Sequence, residues 1–284
     1  MIAFILHSTK VFCQEILMDS DLTLLTALVE EQFTFLRLAK AKFLTTTTTS
    51  WIPAAAAEYE AFLVARAAGK DPSRPLSFHA AWLWHLHLLH PASYASHASL
   101  HLDDVVVTPK PWTMVLTSDE EPSLEGSSSI ELPAPWDVLH EKQVTFLAKM
   151  GTYRLPTRKA TRAICRKFLR FLSLLNGSKE FRVPTLEVDY VWHAALHDPG
   201  LYDALCDRYA GAFVDHNDLL DDEFLAPKFE ATAAAYEARF QDGAYDEAAG
   251  CGGACGGDVK PKKAAGCGGA CGGDVKPTHC VLVC

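Results

Sequence analysis

The stretch PTLEVDYVWHAALHDPGLY, residues 184–202, holds Trp192-His193, then five residues, Pro199, two residues and Tyr202. The stretch WLWHLHLLHPASY, residues 82–94, sets Trp84-His85, Pro91 and Tyr94 at the same spacing. Each copy also has a proline upstream, Pro184 or Pro75. Given one copy, this composition produces a second by chance roughly a few times in ten thousand, so the pair reads as an internal duplication. Proline lacks the amide hydrogen that a helix interior needs, so each copy reads as helix, break, helix.

The surrounding sequence follows the same period. Leu22, Leu25, Leu28, Val29, Phe33 and Leu36 recur at helical spacing over residues 21–44, with Asp21 as N-cap. Further helices are expected over 54–69, 77–90, 92–101, 136–150, 158–175, 186–198, 200–210 and 222–241. Thr157 caps the helix at 158–175, and Asn176-Gly177 ends it. Alternating strand patterns are scarce; Val105–Val107 is a short β-prone run. The fold class is therefore all-α, a helical repeat-like body of two related halves. The expected organisation is a weakly ordered N-terminal extension (1–20), a first half (21–102), a linker (103–135), a second half (136–241) and a disordered Cys/Gly-rich tail (242–284).

Composition narrows the partners. The 284-residue chain has a net charge of -9, a poor basis for general polyanion binding. No apolar run approaches the ~18 residues of a membrane span, and the N-terminal MIAFIL lacks the features of a signal peptide. A cytoplasmic or nuclear protein is expected. Six of the nine cysteines lie in the last 34 residues, unlike a secreted disulfide framework.

The second motif, with AGAFVDHND downstream, resembles the repeated domain of plant-type glycine-rich domain-containing proteins. That family pattern joins a V-D-x-x-W-H-x-H-x-x-x-P-x-x-Y core to a G-x-x-x-x-H-D-D end, and a Cys/Gly tail is a further family trait. The likeness covers roughly residues 20–241 in organisation and is sharp over the two motifs. The chain departs from the pattern at Ala195, at Ala81 and at Asn217. The resemblance implies a non-enzymatic regulatory or interaction protein in stress and developmental responses, acting through a protein partner.

The residues also suggest chemistry. Positions four apart share a helix face, so Asp189, His193 and His197 form one stripe. A carboxylate and two imidazoles form a half-site for zinc or iron, and His216 or Asp218 completes it from the next loop. Zinc is the cofactor that this set suits, in a metal-binding protein or a metal-dependent enzyme. In copy one, His87 and His90 share a face while His85 lies across the helix. The structural alternative makes Trp84, His85, Pro91, Tyr94, Trp192, His193, Pro199 and Tyr202 a packing unit, with proline setting the break and tyrosine packing back. There is no P-loop, G-x-S-x-G or H-E-x-x-H, and an active enzyme is not the favoured expectation. Asp215, Asp218, Asp221, Asp222 and Glu223 read as a solvated turn and helix start; as a calcium loop they lack the required glycine and closing glutamate.

Two further segments bear on partners. Arg158, Lys159, Arg162, Arg166, Lys167 and Arg170 line one side of an amphipathic helix, either a solvated face or an RNA contact. In the tail, AAGCGGACGGDVKP occurs at 248–261 and again at 264–277, placing Cys251/Cys255 and Cys267/Cys271 in C-x-x-x-C pairs. Such thiolates chelate zinc or copper(I) or form disulfides, and the reading preferred over a metal site is a flexible, redox-sensitive interaction tail. Ordering a glycine-rich unit at ~1–2 kcal/mol per residue nearly cancels the roughly 10–16 kcal/mol of one structural zinc, so such binding would be local and exchangeable.

Overall fold

Thr185 and Ser77 stand at equivalent places in the two copies, and each caps a helix: Thr185 accepts from the Val188 amide and Ser77 from the Ala80 amide, both at 3.2 Å. The computed structural model describes residues 2–45, 48–70, 76–108, 128–149, 157–241, 245 and 281–283. These form helices α1 (Ile2–Phe43), α2 (Ile52–Ala67), α3 (Phe78–Leu88), α4 (Pro91–His101), α5 (Trp136–Lys149), α6 (Arg158–Leu175), α7 (Leu186–Leu196), α8 (Pro199–Leu205) and α9 (Asp222–Phe240). The class is all-α. A π-turn over Cys206–Ala210 follows α8 and ends at Gly211, whose φ of 73° is a left-handed helix stop. A three-residue strand, β1 (Val214–His216), is paired in parallel by β2 (Val281–Val283).

Most expected helices lie within a few residues of their predicted ends. The largest difference is α1, which begins at Ile2 instead of Asp21. No glycine or proline occurs before Asp21, so nothing halts helix propagation there. Asp21 is no cap: its buried carboxylate takes Arg208 and the Tyr209 hydroxyl, the latter at 2.7 Å. The run 200–210 is divided into α8 and the π-turn, and Val105–Val107 forms no strand. Much of the expected linker (109–127) and tail lies outside the described residues.

The apolar interior runs unbroken from Leu22 and Leu25 of α1 through Trp82 and Trp84 to Phe168 and Trp192, so both copies share one core. Helix α1 packs on α6 and α7, and α2 packs on α3. Every residue of α3 is buried, which makes its histidines interior groups.

The duplicated motif builds the same device twice. Trp192 donates its indole N–H to the Tyr202 hydroxyl at 3.0 Å, and that hydroxyl donates to the Val214 carbonyl at 2.7 Å. Trp84 donates to Tyr94 at 3.2 Å, and Tyr94 donates to the Val107 carbonyl at 2.5 Å. Pro91 and Pro199 stand at the first position of α4 and α8, where a missing amide hydrogen costs nothing. The tyrosine reaches back across the break and fixes the chain beyond it. In copy two that chain is β1.

Candidate metal centre

Asp189 and His193 lie one turn apart on α7, and β1 carries His216 to them. His193 Nε2 is 3.2 Å from His216 Nε2, His216 Nε2 is 3.4 Å from Asp189 Oδ1, and His193 Nε2 is 3.6 Å from Asp189 Oδ1. Ligand bonds of about 2.0–2.1 Å in a tetrahedron separate the donor atoms by about 3.3–3.4 Å, against about 2.9 Å along an octahedral edge. The observed triangle brackets the tetrahedral value. All three residues are buried, and theirs is the one Asp/His cluster of this kind among the described residues.

The strand that delivers His216 is anchored to copy one at its helix break. His216 Nδ1–H donates to the Leu89 carbonyl at 2.7 Å. The Ala92 amide donates to Asp215 Oδ1 at 3.1 Å. That assignment puts the Nε2 lone pair toward Asp189 and His193, the arrangement of a metal-ligating histidine with its outer nitrogen clamped. Two residues on, Gln143 donates to Asp218 Oδ2 at 2.8 Å, while Asp218 Oδ1 faces His90 Nε2 at 3.6 Å.

Electrostatics fit a place built for positive charge. Burial raises the Asp189 carboxyl, but the charges and hydrogen bond of His193 and His216 win and hold it below its usual range. His216 is opposed by burial too, yet Asp189 carries it above the ordinary imidazole value. Burial pushes His193 down to about 4 despite Asp189.

A cleft of about 500 Å³ opens beside the cluster, lined in part by Val138, Gln143, Phe146, Asp189, His193 and Asp218. Three protein donors with a cleft reaching two of them describe an open site, the kind that keeps a coordination position for water or another ligand.

His197 does not join this set, correcting the four-residue reading. It closes α7, and its Nε2 lies 2.7 Å from His85 Nδ1, across the seam between the copies. The α7 spacing does place Asp189 and His193 together, but at Ala194–Leu196 the helix is already ending, and His197 turns to copy one. His85 is thus paired with an imidazole, and His87 accepts or donates with the Tyr59 hydroxyl at 2.9 Å through Nδ1. The acidic run is corrected in part: Asp218 is buried and Asp215 is bonded to copy one, while Asp221 does start a helix, as the N-cap of α9. On α6, Arg158, Lys159 and Arg166 are exposed, Arg162 pairs with Asp19, Arg170 lies over the Phe240 ring, and Lys167 is half-buried. Cys251, Cys255, Cys267 and Cys271 lie outside the described residues.

Sequence reasoning missed the Leu89, Ala92 and Gln143 partners. Two are backbone groups, which leave no signature in residue type. Gln143 is a polar residue on the apolar face of its helix with Leu139 and Phe146, which was a usable signal. No known protein family, curated protein or solved structure matches the chain.

Proposed function

We propose that the protein binds one divalent transition metal of the zinc kind through Asp189, His193 and His216, in a site open to the cleft beside α5. The observation that carries this reading is the 3.2, 3.4 and 3.6 Å donor triangle. The clamped Nδ1 of His216 supports it, because metal-bound imidazoles are oriented in this way. The competing reading is a buried Asp–His pair that serves stability alone.

The test uses the full chain with its six tail cysteines changed to serine, so that thiolates contribute no metal. The purified protein is expected to hold about one equivalent of zinc, and a chelator should lower its unfolding temperature. Asp189→Asn, which keeps the shape, should lose the metal. Metal-free protein whose unfolding is unchanged by zinc or chelator would overturn the proposal. The non-enzymatic regulatory role implied by the motif resemblance is a compatible proposal, with the metal acting as a structural or sensing element.

A further inference from the structure

His97 on α4 is 4 % exposed, and neither of its ring nitrogens has a hydrogen-bond partner among the described residues. A buried imidazole with both nitrogens unbonded is costly unless something else occupies them. One turn further, His101 presents its ring 4.9 Å from that of His97 by centroid, the two planes inclined by 33°. The His87 ring lies 5.7 Å from that of His97, with its own nitrogens toward Tyr59 and Ser93. The Glu60 carboxylate of α2 favours charge on His97, while its own oxygens accept from the Ser129 amide, at 2.9 Å, and the Ser129 hydroxyl.

We propose that His97 and His101 form a second cation site, for a borderline divalent ion of the zinc–copper kind. Imidazole nitrogens suit these ions. The spacing supports it. A metal about 2.0–2.1 Å from each nitrogen stands about 3.2 Å from each ring centre, so ligand angles of about 90–110° put the centres about 4.5–5.2 Å apart. The observed 4.9 Å lies inside that range. The two sites differ in kind: the first has three donors and opens on the cleft beside α5, the second is a two-imidazole clip whose outer member, His101, is exposed. Exchange of the second ion with solvent should therefore be faster.

Zinc alone is the probe, in equilibrium dialysis of the full chain bearing serine at the six tail cysteines. Two equivalents are expected. His101→Gln, at an exposed position that leaves folding intact, should remove one, and Asp189→Asn should remove the other. His97→Gln should behave as His101→Gln, with folding checked by circular dichroism in chelator. Zinc stoichiometry and affinity unchanged in a folded His101→Gln chain would overturn this inference and leave the Asp189 centre standing. Loss of the only bound zinc in His101→Gln, with Asp189→Asn silent, would support it and sink the Asp189 centre.

Discussion

Replacing Tyr202 by phenylalanine removes one oxygen from the interior and nothing else. That oxygen accepts the Trp192 indole N–H at 3.0 Å and donates to the Val214 carbonyl at 2.7 Å. Tyr202 and Trp192 are both fully buried, so water does not reach the groups left behind. Each unsatisfied buried group costs about 1–3 kcal/mol, so the pair should cost roughly 2–6 kcal/mol, with no cavity beyond one hydroxyl. At a urea slope near 3 kcal/mol/M the unfolding midpoint should fall by roughly 0.7–2 M. Tyr94→Phe is the internal comparison, since its hydroxyl makes the same two bonds in copy one. Both variants should lose similar stability, but only Tyr202→Phe loosens the carbonyl that opens β1, so it alone should weaken zinc binding. A Tyr202→Phe midpoint within about 0.2 M of the parent, at the same slope, would refute the reasoning that the repeated tyrosine is an energetic anchor.

Acid should destabilise the chain from near neutrality. Burial first, then the charge of His193, holds the folded His197 down to about 3, well under the ordinary 6.5. As pH falls through 6.5 the unfolded chain binds a proton that the native state refuses, so stability drops by about 1.4 kcal/mol per pH unit until pH nears 3, where it levels off. His85, held low by burial and by His197, acts in the same direction; urea titrations at pH 7, 6 and 5 measure the slope, and His197→Asn should flatten it. Asp21→Ala should cost about 1–2 kcal/mol by denaturation, since it strands the Tyr209 hydroxyl and Arg208, the latter already one-third exposed. Charge reversal at Arg158, Lys159 and Arg166 tests the RNA proposal: unchanged retention on immobilised RNA is expected, because Arg162 and Arg170 of the same helix are engaged within the fold.

Helix positions were readable because their causes are local. Thr157 caps α6, Asn176-Gly177 stops it, and its apolar stripe follows the helical period. The two motif copies were readable because composition makes their coincidence improbable. Two of the three candidate ligands, Asp189 and His193, followed from spacing on one helix, and His216 from its place downstream. What periodicity cannot supply is the end of a helix face. His197 satisfies the i,i+4 rule with His193, yet α7 stops at Leu196 and the side chain meets His85, 112 positions earlier in the sequence. Nor does residue type reveal that α1 continues upstream, since Asp21 serves equally as a cap or as a buried partner for Arg208.

The bond from His216 to the Leu89 carbonyl has a consequence for inheritance. A single ancestral unit would have had to choose the protonation pattern of that imidazole from within itself. Here a peptide group of the sister copy makes the choice, while the sister has alanine, Ala81, where the second copy has Asp189. In the proposed centre one repeat supplies the candidate ligands and the other the acceptor that orients one of them. Residues 136–241 expressed alone would retain all three candidate ligands and lose the acceptor that tells one of them which nitrogen to offer.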